Sequence, residues 1–276
     1  MLSFTVLGSG SAGNCAVVVS ENCRLLVDAG LSARQIARRL EIAGVAPEQL
    51  DGILLTHEHS DHISGLAVFC RKFDIPVYAN RQTAEVLKGS DPGGSRNWQI
   101  FSTGQEFSVK DITVESFAVP HDAIEPVGFA LHHGGSSLGV VTDLGVATKL
   151  VLERIRRVSA LLIETNYDEK LLQADTRRPW SIKQRIQSRH GHLSNAAAAV
   201  VVAELAGHNL RRAVLGHLSR DCNEPSLAIG TVRDLLGAEC AIDVVCATQK
   251  EPTATFVVED CAAECGSSEI AKPILF

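Results

Sequence analysis

Apolar residues in this chain recur first at short spacing and then at the longer spacing of a helix, and the change predicts its opening elements. Runs rich in Val and Leu near Ser3 to Leu7, Cys15 to Ser20 and Arg24 to Asp28, separated by turn residues, read as a small antiparallel sheet. From Leu31 to Ala43 the period lengthens. Leu31, Ile36, Leu40 and Ala43 form one face and Arg34, Arg38, Arg39 and Glu41 the other, an amphipathic helix with Ser32 placed to cap it. The β-branched, apolar run Gly52 to Thr56 is a further strand, and a helix is expected to start at Ile63 after the loop that follows. A polar, Gly-rich stretch, Lys88 to Asn97, opens a second half with strands near Ile112 to Val119, Val127 to Leu131 and Ser137 to Thr142. Strands near Ala160 to Glu164, Ala213 to Leu215, Ile242 to Cys246 and Thr253 to Val258 then alternate with helices, among them Ala196 to Leu205. This order predicts an α/β fold, two sheets face to face with helices outside, built as a pseudo-repeat of strand-then-helix halves. No solenoid period is visible. One domain over residues 1–258 is expected, followed by a flexible tail, 259–276, in which periodicity is lost.

Composition narrows the picture. The 276 residues suffice for a large core. No apolar stretch approaches the ~20 residues that cross a bilayer, and Met1 to Gly10 has no basic segment ahead of a long apolar one. A cytoplasmic protein without a membrane partner is expected. Eight cysteines, at 15, 23, 70, 222, 240, 246, 261 and 265, lie scattered without a C-x-x-C pair and read as buried free thiols. A net charge of −6 argues against a whole-surface field for nucleic acid, so only local clusters of Lys and Arg could supply one. Nothing in the pattern assigns an oligomeric state.

Candidate chemistry concentrates after the strand that ends at Thr56. His57, Glu58, His59, Ser60, Asp61 and His62 put four metal-capable side chains into one loop. At two-residue spacing His57 and His59 point the same way and can share one ion, while Asp61 and His62, past the turn, can reach a second beside it. A lone histidine is commonly a core or surface residue; three with an aspartate in so short a segment point to a metal site. A second loop, Gly8 to Gly13, spells G-x-G-x-x-G after a strand, with Asp28 about twenty residues on, as in a dinucleotide site. Such a loop must open a helix whose N-terminus meets the pyrophosphate, yet Asn14 leads into the strand-like run Cys15, Ala16, Val17, Val18, Val19. We therefore read a tight β-turn whose backbone N–H groups face the metal cleft. Paired ions need about three further ligands, one a bridging carboxylate. His121, Asp143 and His217, each just past a predicted strand, are the candidates.

These residues stand in the motifs L-L-V-D-A-G around Asp28, T-H-E-H-S-D-H, P-H-D at His121, V-T-D-L-G at Asp143 and G-H-L-S at His217. Their order, from residue 1 to about 258, resembles that of metallo-β-lactamase-fold hydrolases. The resemblance implies a four-layer αβ/βα sandwich with two divalent metal ions between the loop edges of its sheets. It implies that His57, His59 and His121 hold one ion, that Asp61, His62 and His217 hold the other, and that Asp143 bridges them. Asp28 would steady the ligand loop from behind. Zinc suits so imidazole-rich a set, and the carboxylates would accept manganese.

Two further segments, Leu162 to Asp168 and Ser188 to Asn195, resemble those from which phosphodiesterase members of the fold add a glutamate and a histidine beside the metals. Phosphodiester cleavage needs such a pair because the leaving alkoxide must be protonated as an activated hydroxide attacks. His192 is assigned as proton donor, Glu164 as its orienting partner and Asp61 as a further catalytic carboxylate. Alternatively, Ser194 and Asn195 merely cap the helix from Ala196, with His192 a bystander. Arg177, Arg178, Lys183, Arg185 and Arg189 could track a phosphate backbone or form only a solvated face, and Trp180 could stack on a base or fill core. The full pattern, including G-S-G-S-A-G-N with Asn14 and H-L-S-R-D-C-N-E-P with Asn223, resembles the bacterial WalJ (YycJ)-like exonuclease subfamily. That adds Asn14 and Asn223 to the candidate substrate contacts and implies a cytoplasmic DNA exonuclease acting 5′ to 3′. A small-molecule or cyclic-nucleotide phosphodiesterase on the same fold is one rival. A non-catalytic, metal-containing nucleic-acid-binding or regulatory module is the other.

Overall fold

Side chains that alternate between two apolar environments sort the strands into two sheets. The structure, a computed structural model, describes residues 1–90 and 96–260. In chain order its elements are β1 (Leu2–Gly8), β2 (Cys15–Val19), β3 (Arg24–Val27), α1 (Ala33–Ile42), β4 (Gly52–Leu54), α2 (Ser60–Ile63), α3 (Leu66–Phe73), β5 (Val77–Asn80), α4 (Arg81–Ser90), β6 (Trp98–Phe101), β7 (Glu106–Val109) and β8 (Ile112–Ala118). The second half continues with β9 (Val127–His133), β10 (Ser136–Val141), α5 (Lys149–Ile155), β11 (Ala160–Glu164), α6 (Glu169–Ala174), α7 (Trp180–Ile186), α8 (Asn195–Ala206), β12 (Arg212–Gly216), α9 (Pro225–Leu236), β13 (Asp243–Cys246) and β14 (Phe256–Val258).

The strands form two seven-stranded sheets, ordered β14-β1-β2-β3-β4-β5-β6 and β13-β12-β11-β10-β9-β8-β7. The opening strands are therefore not a small sheet of their own. They are the antiparallel side of a mixed sheet that β4, β5 and β6 extend in parallel. Both sheets carry three antiparallel pairings followed by three parallel ones, so the expected pseudo-repeat is present in the strand pattern. Chain order is broken at one place. β14 returns to pair with β1, in register Leu2 to Val258, and joins the last described strand to the first.

Burial of both faces of each sheet explains why the strands read as nearly continuous apolar runs. Leu25, Val27, Phe129, Val140 and Leu162 belong to the cluster between the sheets. Leu26 packs outward with Ile36, Leu40 and Phe69 of α1 and α3, and Leu161 and Ile163 pack outward with Val151, Val202 and Val232 of α5, α8 and α9. Four layers result, as the resemblance implies. Asp260 bridges to Ser136 just beyond β14; the rest of the expected tail, with Cys261 and Cys265, and positions 91–95 of the Gly-rich stretch lie outside the described residues.

Ser32 caps α1 as expected, its side chain accepting from the Gln35 N–H. Arg39 departs from its expected place on the solvent face. It is buried, and its guanidinium donates to the carbonyls of Leu7 at 2.6 Å, Gln249 at 3.1 Å and Lys250 at 2.8 Å. The helix thereby pins the end of β1 to the segment between β13 and β14. Replacing Arg39 with Met keeps the stem but leaves those carbonyls without their donor. We expect a loss of about 2 to 3 kcal/mol in urea unfolding.

Candidate metal centre

The C-terminal ends of β3, β4, β8, β10, β11 and β12 open onto one edge of the sandwich, and each carries or is soon followed by a residue singled out above. Asp28, Asp143 and His217 turn the chain off their strands with φ of 58°, 53° and 54°. For non-glycine residues this left-handed conformation is disfavoured, and its recurrence at three strand ends marks strain retained where side chains must be aimed. Asp74 and Lys110 are the other two described cases, one capping α3 and one lying in the turn after β7.

The helix after Thr56 starts at Ser60 rather than Ile63, with His59 at its N-cap and Asp61 and His62 in its single turn. Gly30 allows this loop to sit close, because a Cβ there would collide with the Asp61 carbonyl. The Ala29 N–H donates to the His62 carbonyl and the Asn14 N–H to that of Asp61, both at 2.8 Å. His57, His59 and His121 form one convergent donor group; Asp61, His62 and His217 form another; His57, His62 and Asp143 lie across the two, and within each group the donor atoms lie within 4.8 Å of one another. The structure thus brings together every residue expected to bind metal.

Most of the rings are held from outside. His62 Nδ1 lies 2.7 Å from Asp28 Oδ2, and Asp28 also accepts from the Thr56 N–H at 2.9 Å and from its hydroxyl. His57 Nδ1 lies 3.0 Å from the Thr56 hydroxyl, and His121 Nδ1 3.0 Å from the Gly191 carbonyl. Glu164, fully buried, places Oε1 2.6 Å from His192 Nδ1 and 2.9 Å from His217 Nδ1, while Oε2 accepts from the N–H groups of Leu144 and Leu193. The opposite nitrogens are then left toward the cleft. His57 Nε2 is buried without a hydrogen-bond partner, an expensive state for a polar atom unless something else satisfies it. Imidazole and carboxylate donors converging around such an atom fit a divalent cation.

Several supporting groups carried little sequence signal. Asn14 accepts from the Ser9 hydroxyl and the Gly10 N–H and points its amide nitrogen at Asp61 and His62, so it braces the donor loop from inside the fold. Asn166 donates to the His217 carbonyl, and Asn223 exchanges two side-chain hydrogen bonds with Asn195. Asn14 and Asn223 are both buried; Asn14 points inward at the donor loop, whereas Asn223 lines a groove beside the cluster. The Gly8 to Gly13 loop also differs from expectation. The N–H groups of Ser9, Gly10, Ala12, Gly13 and Asn14 all donate within the protein and present no anion cradle to the cleft.

The expected basic strip is mostly consumed by internal partners. Arg177 and Arg178 both bind Asp175 and Asp221, Arg185 binds Asp122 at 2.6 Å, and buried Lys183 donates to the Gln173 carbonyl at 2.7 Å. These bonds clasp α6 and α7 to the loops after His121 and His217. Arg189 is exposed and has no ion pair among the described residues. Trp180 is 58 % exposed and does not fill core. Ser194 does cap α8, accepting from the Ala197 N–H, while His192 also meets Glu164, so the capping role and the histidine–glutamate pair coexist.

Burial opposes charge on His62, but the carboxylates of Asp143 and Asp28 outweigh it and raise its pKa to about 10; His217 moves the same way against burial, through Asp143 and its hydrogen bonds to Asp61 and Glu164. Burial, helped by its imidazole neighbours, pushes His57 well below the usual histidine range. In the metal-free protein the stability contributed by His62 is complete below the ordinary histidine pKa of about 6.5 and is lost as pH rises through its folded value. Buried, neutral His57 costs stability as pH falls below that same point. Metal-free protein should therefore be most resistant to urea near pH 6.5, with His62→Gln flattening the alkaline fall; unfolding curves from pH 5 to 10 test this.

A family model described as the β-lactamase superfamily domain matches residues 23–218. The chain is 42 % identical over 238 residues to the exodeoxyribonuclease YycJ of Bacillus anthracis, covering 85 % of this chain and 89 % of that protein. It is 37 % identical over 245 residues to the exodeoxyribonuclease WalJ of Streptococcus pneumoniae, covering 87 % and 91 %. Among solved structures, the metallo-β-lactamase fold protein YhfI from Bacillus subtilis superposes with a TM-score of 0.70 at 17 % identity, over 92 % of this chain and 99 % of that one. Fold, strand-end cluster and these likenesses agree that the chain belongs to the β-lactamase superfamily, among the metallo-β-lactamase-fold hydrolases that include the YycJ and WalJ proteins.

Proposed function

We propose that the protein is a metal-dependent phosphodiesterase that degrades DNA from an end. The observation that carries this reading is the Glu164–His192 pair standing beside the two donor groups and Asp143. The names of the B. anthracis and S. pneumoniae relatives, alike over most of their length, point the same way. In this reading His57, His59 and His121 would hold one divalent ion and Asp61, His62 and His217 the other, with Asp143 in reach of donors from both groups. Bound there, the ions supply Lewis acidity, neutralising phosphate charge and lowering the pKa of water toward ~7. Zinc fits the imidazole-rich set, and manganese is accommodated by the carboxylates.

The chain's own groups handle the proton. His192 is partly open to solvent, and its Nδ1 proton is committed to Glu164 Oε1. Burial lowers its pKa, but the Glu164 charge and hydrogen bond more than compensate and raise it above the usual histidine range. The pairing favours the protonated ring, whose Nε2–H can donate to the leaving oxygen, which would otherwise depart as a costly alkoxide. Asp61 is held ionised against burial by the hydrogen bond of His217 and the charges of His62 and His217, suiting a carboxylate that orients the attacking water. Among the described residues no helix is long and apolar enough to cross a membrane, and six cysteines are free, which suits a reducing compartment such as the cytoplasm.

The direct assay incubates metal-loaded protein with end-labelled single- and double-stranded DNA and RNA bearing a 5′-phosphate or a 5′-hydroxyl. Stepwise release of nucleotides from the 5′ end of DNA is expected; cleavage of a small chromogenic phosphodiester alone would replace this reading with a small-molecule phosphodiesterase. His192→Ala should retain its metals by elemental analysis and slow turnover by ~10²- to 10⁴-fold, with the alkaline limb of the pH–rate profile lost. Unchanged turnover would remove His192 from the chemistry. Asp28→Asn should weaken metal affinity by ~10- to 100-fold in competition with a chromogenic chelator, because His62 loses the carboxylate that fixes its ring.

A further inference from the structure

A groove of about 540 Å³, within the range of small-ligand sites, runs alongside the cluster and plays no part in the chemistry above. Its walls come from the Gly8 to Gly13 loop, the segment after His217 and the segment between β13 and β14. Ser9 joins it to the centre: this residue lines the groove, and its hydroxyl accepts the His217 N–H at 2.7 Å. The walls are braced from behind. Gln249 accepts from the Ala12 N–H and donates to the Gly13 carbonyl, and Arg39 holds the carbonyls of Gln249 and Lys250.

Two cations line this groove, Arg220 and Lys250, both exposed and neither in an ion pair among the described residues. In a chain with 32 acidic and 26 basic residues, Arg177, Arg178 and Arg185 are by contrast all bound to aspartates. A cation already held by a carboxylate must give up that partner to take a phosphate; an unpartnered one gives up only water and counterions. Serine and threonine hydroxyls of Ser11, Ser219 and Thr248 add neutral donors, and Leu218 and Pro225 add apolar wall.

We infer that this groove is a phosphate subsite for the nucleic-acid strand, with Arg220 and Lys250 binding phosphate beside the one that is cleaved. The inference rests on the phosphodiesterase reading for its substrate, but not for its binding test. The phosphate is either the strand's terminal one or an internal backbone one. Arg157→Glu serves as the reference, since it makes the same charge change on an exposed residue just before β11, at the sheet edge away from the cluster.

Arg220→Glu and Lys250→Glu are compared with Arg157→Glu in two measurements: KM for nucleotide release by the metal-loaded protein, and fluorescence anisotropy of a labelled single strand with cleavage stopped by chelation. Each groove variant should weaken binding by about 10-fold and lower the slope of log affinity against log salt by about 1, with a matching rise in KM. Arg157→Glu should do neither. Strands with a 5′-phosphate and a 5′-hydroxyl separate the sources: an effect confined to the former assigns the terminal phosphate, and an equal effect on both assigns the backbone. Groove variants that bind like the reference, or wild-type protein that binds no strand, would overturn the inference. Binding with these properties but without cleavage would leave the groove standing and remove the phosphodiesterase reading.

Discussion

The site depends on a rule applied to ring after ring: one imidazole nitrogen is held by the fold so that the other is available to the cleft. His62 is held by Asp28, His57 by Thr56, His121 by the Gly191 carbonyl, and His192 and His217 by one oxygen of Glu164. Without these outer bonds, so many adjacent imidazoles could turn their nitrogens toward one another and form an internally satisfied polar cluster. With them, donors converge on a shared space that they cannot themselves fill. The buried, unpartnered Nε2 of His57 is where this shows most plainly.

The sandwich is shaped to meet that requirement. Donors must arrive from chain positions between residue 57 and residue 217, and strands ending along one edge of two facing sheets bring them there. Left-handed turns at Asp28, Asp143 and His217 redirect the chain where each strand stops, and Gly30 permits backbone contact too close for any side chain. The cost of these conformations is carried by the apolar layers beneath, in which the inner and outer residues of each strand are both buried.

Much of this was legible in the residues because it was locally written. The loop His57 to His62 declares its chemistry by density, and His121, Asp143 and His217 stand at visible strand ends. The strands β5, β6 and β7 were not placed, since β6 and β7 are short and partly exposed, and their apolar residues show no clean alternation. Neither could spacing reveal that Arg39 turns inward, as only the folded chain brings the carbonyls of Leu7, Gln249 and Lys250 to it. Spacing was equally silent on the partners of Arg177, Arg178 and Arg185. Asp122 and Asp221, remote in the chain, become their partners only when α6 and α7 are docked.

Glu164 serves two masters through a single atom. Its Oε1 touches both the ring that faces solvent and the ring that meets Asp61. Were His192 to lose a proton, as the proposed mechanism requires, that oxygen would lose a cationic neighbour and draw more strongly on His217, making its far nitrogen more electron-rich. Protonation at the rim and donor strength within are thus not independent dials: one carboxylate makes the state of the first felt by the second.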